Sequence, residues 1–223
     1  MDETYEIHIL KTGFLSFKNY IYIIVDTYSM EAAIIDPAWD LEKIITVLNT
    51  LGVHPTKILL THSHFDHVNL VESLVQRFNS QVYMSLDEIS FYKVQYKNLN
   101  PIQHFDVIKL GQTNITTLLT PGHTVGSVSF LLSRFLFTGD TIFFEGCGIC
   151  NTKGAEQMFN SIQMIKKMVA PDVRVYPGHS FGKEPGEPIK HLAKENIYFS
   201  IEQKEIFVNF RTRKNQKNLF NFQ

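Results

Sequence analysis

The chain has 223 residues, 44% of them hydrophobic and 13% aromatic, which is enough to bury a sizeable core and excludes an intrinsically disordered chain. Its 21 basic and 22 acidic residues leave a formal charge of −1, so nothing in bulk electrostatics draws it to nucleic acid or an anionic membrane. The N-terminus, MDETYEIHIL, carries acids where a secretory signal carries bases, and charged or polar residues interrupt every apolar run before spanning length, so a cytoplasmic protein without a membrane segment is expected.

In chain order, Glu6–Leu10, Asn19–Val25 and Ala32–Ile35 read as short extended runs, the last stopped by Asp36-Pro37, and together predict an antiparallel meander. From Asp40 the period changes. Leu41, Ile44, Ile45, Leu48 and Leu51 fall on one helical face, with Asp40 as N-cap and Gly52 as stop. Lys57–Thr61 (KILLT) is a continuous apolar strand suited to a sheet buried on both faces. It runs directly into THSHFDHV, after which Leu70, Leu74, Val75 and Phe78 mark a second helix. Strands are predicted at Gln81–Met84, Asn114–Leu119, Ser127–Leu132, Arg134–Thr138 and Val173–Tyr176, and a third helix at Glu156–Val169. The aromatic-rich segment Phe91–Phe105 is read as a packed connecting loop, with the lining of an acyl channel as the sharper alternative. Two sheets covered outside by helices satisfy this order; a single mixed sheet does too.

His62-Ser63-His64-Phe65-Asp66-His67 places three imidazoles and one carboxylate within six residues, the ligand types a borderline ion such as zinc accepts. In an extended segment alternate side chains point the same way, so His62 and His64 can grip one ion, and after a turn Asp66 and His67 can face a second. With nine histidines in the chain, a chance match to this pattern has odds of roughly one in a thousand. A surface histidine cluster fits poorly between an apolar strand and an amphipathic helix. Four ligands do not complete two sites. Three further candidates each follow a predicted strand: His123 in TPGHT, Asp140 in FTGDT and His179 in YPGHS, where Gly and Pro suit sharp turns toward a shared centre.

THSHFDH, TPGHT, FTGDT and YPGHS, in this order, resemble the metallo-β-lactamase superfamily, and most of all its glyoxalase II-like hydrolases; the likeness covers residues 5 to 200, including Asn19-Tyr20 and Ile35-Asp36-Pro37. It implies an α/β fold, a four-layer αββα sandwich with the metals at one edge, formed by one domain over residues 1–223 with 200–223 as a C-terminal tail. Carried over by motif, His62, His64 and His123 would bind one zinc ion, Asp66, His67 and His179 a second, and Asp140 would bridge them. Such a pair would lower the pKa of a water held between them toward neutrality, with Asp66 orienting it and accepting its proton.

A narrower resemblance, to the zinc hydrolases of bacterial trans-acyltransferase polyketide synthase pathways, is carried by KTGFLSFKNYIY, DPAW, THSHFDHVNL and GCGICNTKGAEQMF. It implies acyl thioesters on the phosphopantetheine arm of an acyl carrier protein, cleared by hydrolysis during antibiotic biosynthesis. Two departures from glyoxalase II steer away from glutathione thioesters. Only 44 residues follow His179, and Ile149 follows Gly146-Cys147-Gly148 where a basic residue is usual. Arg211, Arg213, Lys214 and Lys217, with no acid among residues 206–223, form either a solvated basic tail or a patch for an acidic carrier. Cys147 and Cys150 are expected to be buried and structural. The competing functions are a persulfide dioxygenase-like oxidoreductase with one iron, glyoxalase II activity on glutathione thioesters, and a non-catalytic metal-binding module.

Overall fold

The computed structural model describes residues 4–14, 17–181, 183–214 and 216, the side chain of Phe17 apart. Strands β1 (Tyr5–Phe14) and β2 (Phe17–Asp26) pair antiparallel over ten residues, and β3 (Glu31–Ile35) pairs antiparallel with β2 in turn, which is the expected meander. Helix α1 (Leu41–Leu51) begins where Asp40 accepts a hydrogen bond from the Lys43 amide and ends at Gly52 in the left-handed region, so both predicted caps are in place. Then come β4 (His54–Leu59), α2 (Phe65–Val68), α3 (Val71–Phe78) and β5 (Gln81–Ser85). β3, β4 and β5 run parallel, as the continuous apolar run of β4 suggested.

The segment expected as a connecting loop is more ordered than that. Its first residues end a helix, α4 (Leu86–Tyr92), and Leu99–Ile102 forms β6, which closes the first sheet beside β5. The second sheet is built from β7 (Val107–Leu110), β8 (Thr113–Leu119), β9 (Val128–Leu131) and β10 (Phe135–Gly139). Helix α5 (Thr152–Met168) starts four residues earlier than its apolar period suggested, because Asn151 caps it through the Gly154 amide. β11 (Arg174–Pro177) and the short β12 (Glu187–Pro188) finish the sheet, followed by α6 (Ile189–Glu195), α7 (Ile197–Ser200) and α8 (Lys204–Arg211).

The strand orders are β1-β2-β3-β4-β5-β6 and β12-β11-β10-β9-β8-β7. Alternation in β2 shows how these sheets form layers. Tyr20, Tyr22 and Ile24 point between the sheets, where they meet Leu59, Ile115, Phe130, Phe137 and Tyr176. Ile21, Ile23 and Val25 point the other way, onto Ile44 and Leu48 of α1 and Val71 and Leu74 of α3. On the outer face of the second sheet, Leu118, Leu136 and Val175 pack against Met158, Ile162 and Phe207 of α5 and α8. The result is the helix–sheet–sheet–helix sandwich expected. Among the described residues no helix is long and apolar enough to cross a membrane.

One end of the sandwich is pinned by Asp26. Its carboxylate accepts hydrogen bonds from the Ser29, Gln112 and Thr113 amides and the Thr113 hydroxyl. Burial pushes this carboxyl up, but those donors outweigh it and hold it at about 2. At the other end the sheets meet through Tyr20 N–H to the Gly178 carbonyl (2.9 Å), Tyr22 OH to the Pro177 carbonyl (2.5 Å) and Val128 N–H to the Thr61 carbonyl (2.8 Å). The turns that follow β4, β8, β10 and β11 all gather there.

Candidate metal centre

His62 lies on the turn that leaves β4 and His64 precedes α2 with φ −64° and ψ 143°, and their rings stand side by side with centroids 4.7 Å apart. His62 Nε2 lies 3.1 Å from His64 Nδ1, and His123 Nε2, from the turn after β8, lies 2.9 Å from the same His64 nitrogen. On the other side of His62 a second group forms from α2 and the turn after β11. His67 Nε2 is 3.2 Å from His179 Nε2, which is 3.3 Å from Asp66 Oδ2. Asp140, which follows β10, sits between the groups: its carboxylate oxygens lie 3.4 Å from His123 Nε2 and 3.5 Å from both His67 and His179 Nε2. All seven residues singled out in the sequence therefore converge.

The remaining nitrogens of these rings are held from behind. His67 Nδ1 lies 3.0 Å from Asp36 Oδ2, and Asp36 also accepts the Thr61 amide and hydroxyl. That Thr61 hydroxyl, already donating to Asp36, accepts from His62 Nδ1 at 3.0 Å. His123 Nδ1 donates to the Ile149 carbonyl at 2.8 Å, and His179 Nδ1 to the Lys18 carbonyl at 2.6 Å. In each case the outer nitrogen is fixed and Nε2 is aimed inward, the orientation that outer contacts impose on metal-ligating imidazoles. Asn19 anchors Asp66, donating to its carbonyl (2.8 Å) and to Oδ2 (3.3 Å), while Asn19 Oδ1 accepts from Trp39 Nε1 (2.7 Å).

This donor set fits a cation. Ligand nitrogens on a tetrahedral ion with bonds of about 2.0–2.1 Å stand about 3.3 Å apart, near the spacings within each group. Asp140 Oδ1 is buried and receives no hydrogen bond, a costly state for a carboxylate oxygen unless a cation faces it. Gly178 is needed for the close approach: a Cβ there would stand 2.7 Å from both Asp140 Oδ1 and His67 Cε1. Charge is unevenly shared. Burial and the neighbouring imidazoles push His62 well down, whereas for His67 burial is outweighed by Asp140, Asp36 and Asp66, and its pKa rises to about 9. Burial likewise pushes Asp66 and Asp140 up, but His179 and His67 outweigh it and both carboxyls lie below their usual range.

A family model described as the metallo-beta-lactamase superfamily matches residues 17–179, a span that contains every residue of this cluster. The chain belongs to the metallo-β-lactamase superfamily. It is 53% identical over 224 residues to the "probable polyketide biosynthesis zinc-dependent hydrolase PksB" of Bacillus subtilis (strain 168), with all of both chains covered. It is equally similar, at 53% with the same coverage, to the protein of that description, BaeB, from Bacillus velezensis. Among solved structures, a metallo-beta-lactamase from Staphylococcus aureus superposes with a TM-score of 0.87 at 27% identity, covering 96% of this chain and 70% of that one.

Some residues of this superfamily member stand elsewhere than their sequence context suggested. Arg211, read as part of a basic tail, is 2% exposed: its Nε donates to the Gly148 carbonyl at 2.9 Å, and its guanidinium lies over Tyr198. Arg213 stacks on Phe210, and Lys217 lies outside the described residues. Cys147 is buried and Cys150 half-buried, both with free thiols that burial pushes up. The contacts missed in the sequence are the outer ones. Two of them are main-chain carbonyls, which carry no residue-type signal, whereas Asn19 and Asp36 stood in the stretches on which the family likeness rested.

Proposed function

We infer that this chain is a zinc-dependent hydrolase that cleaves acyl thioesters, the acyl group being carried on the phosphopantetheine arm of an acyl carrier protein in a polyketide pathway. The observation that carries the reading is the set of fixed outer nitrogens on His62, His67, His123 and His179, which aims four Nε2 atoms inward around Asp140. The full-length likeness to two polyketide-biosynthesis zinc-dependent hydrolases supports the pathway and the metal. In this reading His62, His64 and His123 would hold one zinc ion and Asp66, His67 and His179 a second, with Asp140 beside both groups; the ligand atoms within each three-residue group lie within 4.8 Å of one another, as do those of Asp36, His62 and His67.

Zinc held there would supply Lewis acidity, lowering the pKa of a bound water and polarising a carbonyl oxygen. The rest falls to the chain's own groups. Asp66 is ionised, is anchored by Asn19, and is the more accessible of the two central carboxylates, with 20% of its side chain exposed against 10% for Asp140. It orients the attacking water and takes its proton. The thiol formed at the other end has an ordinary pKa near about 8.5, so a thiolate leaves without a dedicated acid. His64 and Phe65 are both exposed and mark the open side from which a tethered substrate enters.

The test is metal quantification on purified protein together with turnover of acyl-carrier, acyl-CoA, glutathione and lactam substrates. Two zinc per chain with preferred hydrolysis of acyl-carrier thioesters is the expected result. Bound zinc without hydrolysis of any thioester overturns the substrate, and one iron with oxygen uptake on a persulfide overturns the reaction class.

A further inference from the structure

Glu88 is the one fully buried carboxylate of α4, at 0% exposure, and the centre described above does not use it. Among the described residues it has no Lys or Arg ion-pair partner. Its charge is met instead by three donors from two separate turns. Oε1 accepts from the Ser63 amide (2.9 Å) and the Ser63 hydroxyl (2.7 Å), and Oε2 accepts from the Gly126 amide (3.0 Å). Ser63 stands between His62 and His64 on the turn after β4 of the first sheet. Gly126 stands three residues after His123, on the turn that leads into β9, in the second.

We propose that Glu88 is a positioning residue, a staple across the two sheets that sets the spacing of His62, His64 and His123. The proposal rests on the reading that these three imidazoles hold one ion. Each carboxylate oxygen grips one turn, so the distance between the turns is set by a rigid planar group. Ser85 reinforces the joint: its hydroxyl accepts from the Glu88 amide (3.1 Å) and donates to the Gly126 carbonyl (2.6 Å). The fit is close, since a Cβ on Gly126 would stand 2.3 Å from Glu88 N and 2.4 Å from Ser85 Oγ. A buried ion is costly, and one held only by N–H and O–H groups of two ligand-bearing turns fixes both of them in return.

The test uses Glu88→Gln, which keeps the volume but turns an NH2 group toward one of the two turns, and Glu88→Asp, which keeps the charge but is one methylene too short to span them. Cobalt(II) is titrated into the metal-free full-length protein and followed by its visible absorption, which resolves successive binding steps. A His64→Ala variant marks the step that belongs to the three-imidazole side, and Leu48→Ala in α1 reproduces a loss of stability far from the turns. The expected result is that both Glu88 variants weaken the step marked by His64→Ala by about 10–100-fold, leave the other within about twofold, and lose turnover that excess metal partly restores. Unchanged affinity in a folded variant, or equal weakening of both steps as in Leu48→Ala, overturns it. If the unmodified protein takes up a single equivalent, the two-ion reading has failed; the staple then stands if the Glu88 variants weaken that step as His64→Ala does, and falls if they do not.

Discussion

His62 and His67 share one short motif and their ring centroids lie 4.1 Å apart, yet they titrate in opposite directions. His62 is buried among imidazoles and stays neutral, whereas His67 has Asp36 behind it and Asp66 and Asp140 beside it, and holds a proton to about 9. The two sides of the centre are thus prepared differently. On the three-imidazole side, burial pushes His62 and His123 down, so neither has to lose a proton to take a cation. The carboxylate-bearing side is already charge-balanced by a proton that a metal must displace.

The severest test of that contrast removes the group common to both sides. Asp140→Asn is expected to lower kcat/KM by about 10²–10³-fold or more, with loss of bound zinc measured on the same sample. A folded variant that keeps its metal and its turnover breaks the idea that the two sides share this carboxylate. Asp36→Asn acts directly on His67 and reaches His62 only through the Thr61 hydroxyl. Zinc affinity on the His67 side should fall by about 10–100-fold and the other step by less, and equal weakening of both would erase the distinction.

The pH dependence gives a smaller effect. The folded pKa of His67 is raised from 6.5 to about 9, so in the metal-free protein its contribution to stability is complete below about 6.5 and is lost as pH rises through about 9. Zinc uptake on this side should therefore release a proton, and its affinity should climb by up to about tenfold per pH unit across that window. Calorimetry in buffers of different ionisation enthalpy counts the proton, and uptake without release at pH 7.5 contradicts the assignment. The smallest effect is expected from the C-terminal helix. Arg211→Met frees the Gly148 carbonyl next to Ile149, whose own carbonyl orients His123, so the three-imidazole side should weaken severalfold with a stability loss of about 1.5–3 kcal/mol. Lys214→Glu, at an exposed position, should leave stability within about 0.5 kcal/mol, as chemical denaturation would measure.

Much of this was legible in the sequence because it is local. The spacing of His62, His64, Asp66 and His67 is written in six consecutive residues, and the meander and α1 announce themselves by period and caps. His123, Asp140 and His179 needed their Gly and Pro neighbours and the order of motifs as well. The outer contacts were beyond reach for a physical reason: Lys18 and Ile149 act through main-chain carbonyls, Glu88 reaches Gly126 only because the two sheets face each other, and Arg211 reaches Gly148 only because α8 packs on the outer face of the second sheet. Arg211 looked like part of a solvated tail because it stands in a stretch without acids. The apolar spacing of Phe207 and Phe210 on the same turn was the signal that this segment packs inward. β6, β7 and β12 have few residues and little alternation, and they exist because neighbouring strands offer them unpaired edges.

The first sheet is drawn wholly from residues 5–102 and the second from 107–188, and the link between them is a tight turn in which the Gln103 amide donates to Asp106. The centre lies on the seam between two contiguous stretches of one polypeptide, with ligands from both. If the peptide were nicked within that turn, the core between the sheets and any metal held at the seam would together join two separate molecules. Chelation would then weaken that joint without touching the core beneath it, and the two pieces would part at lower denaturant once the metal is gone.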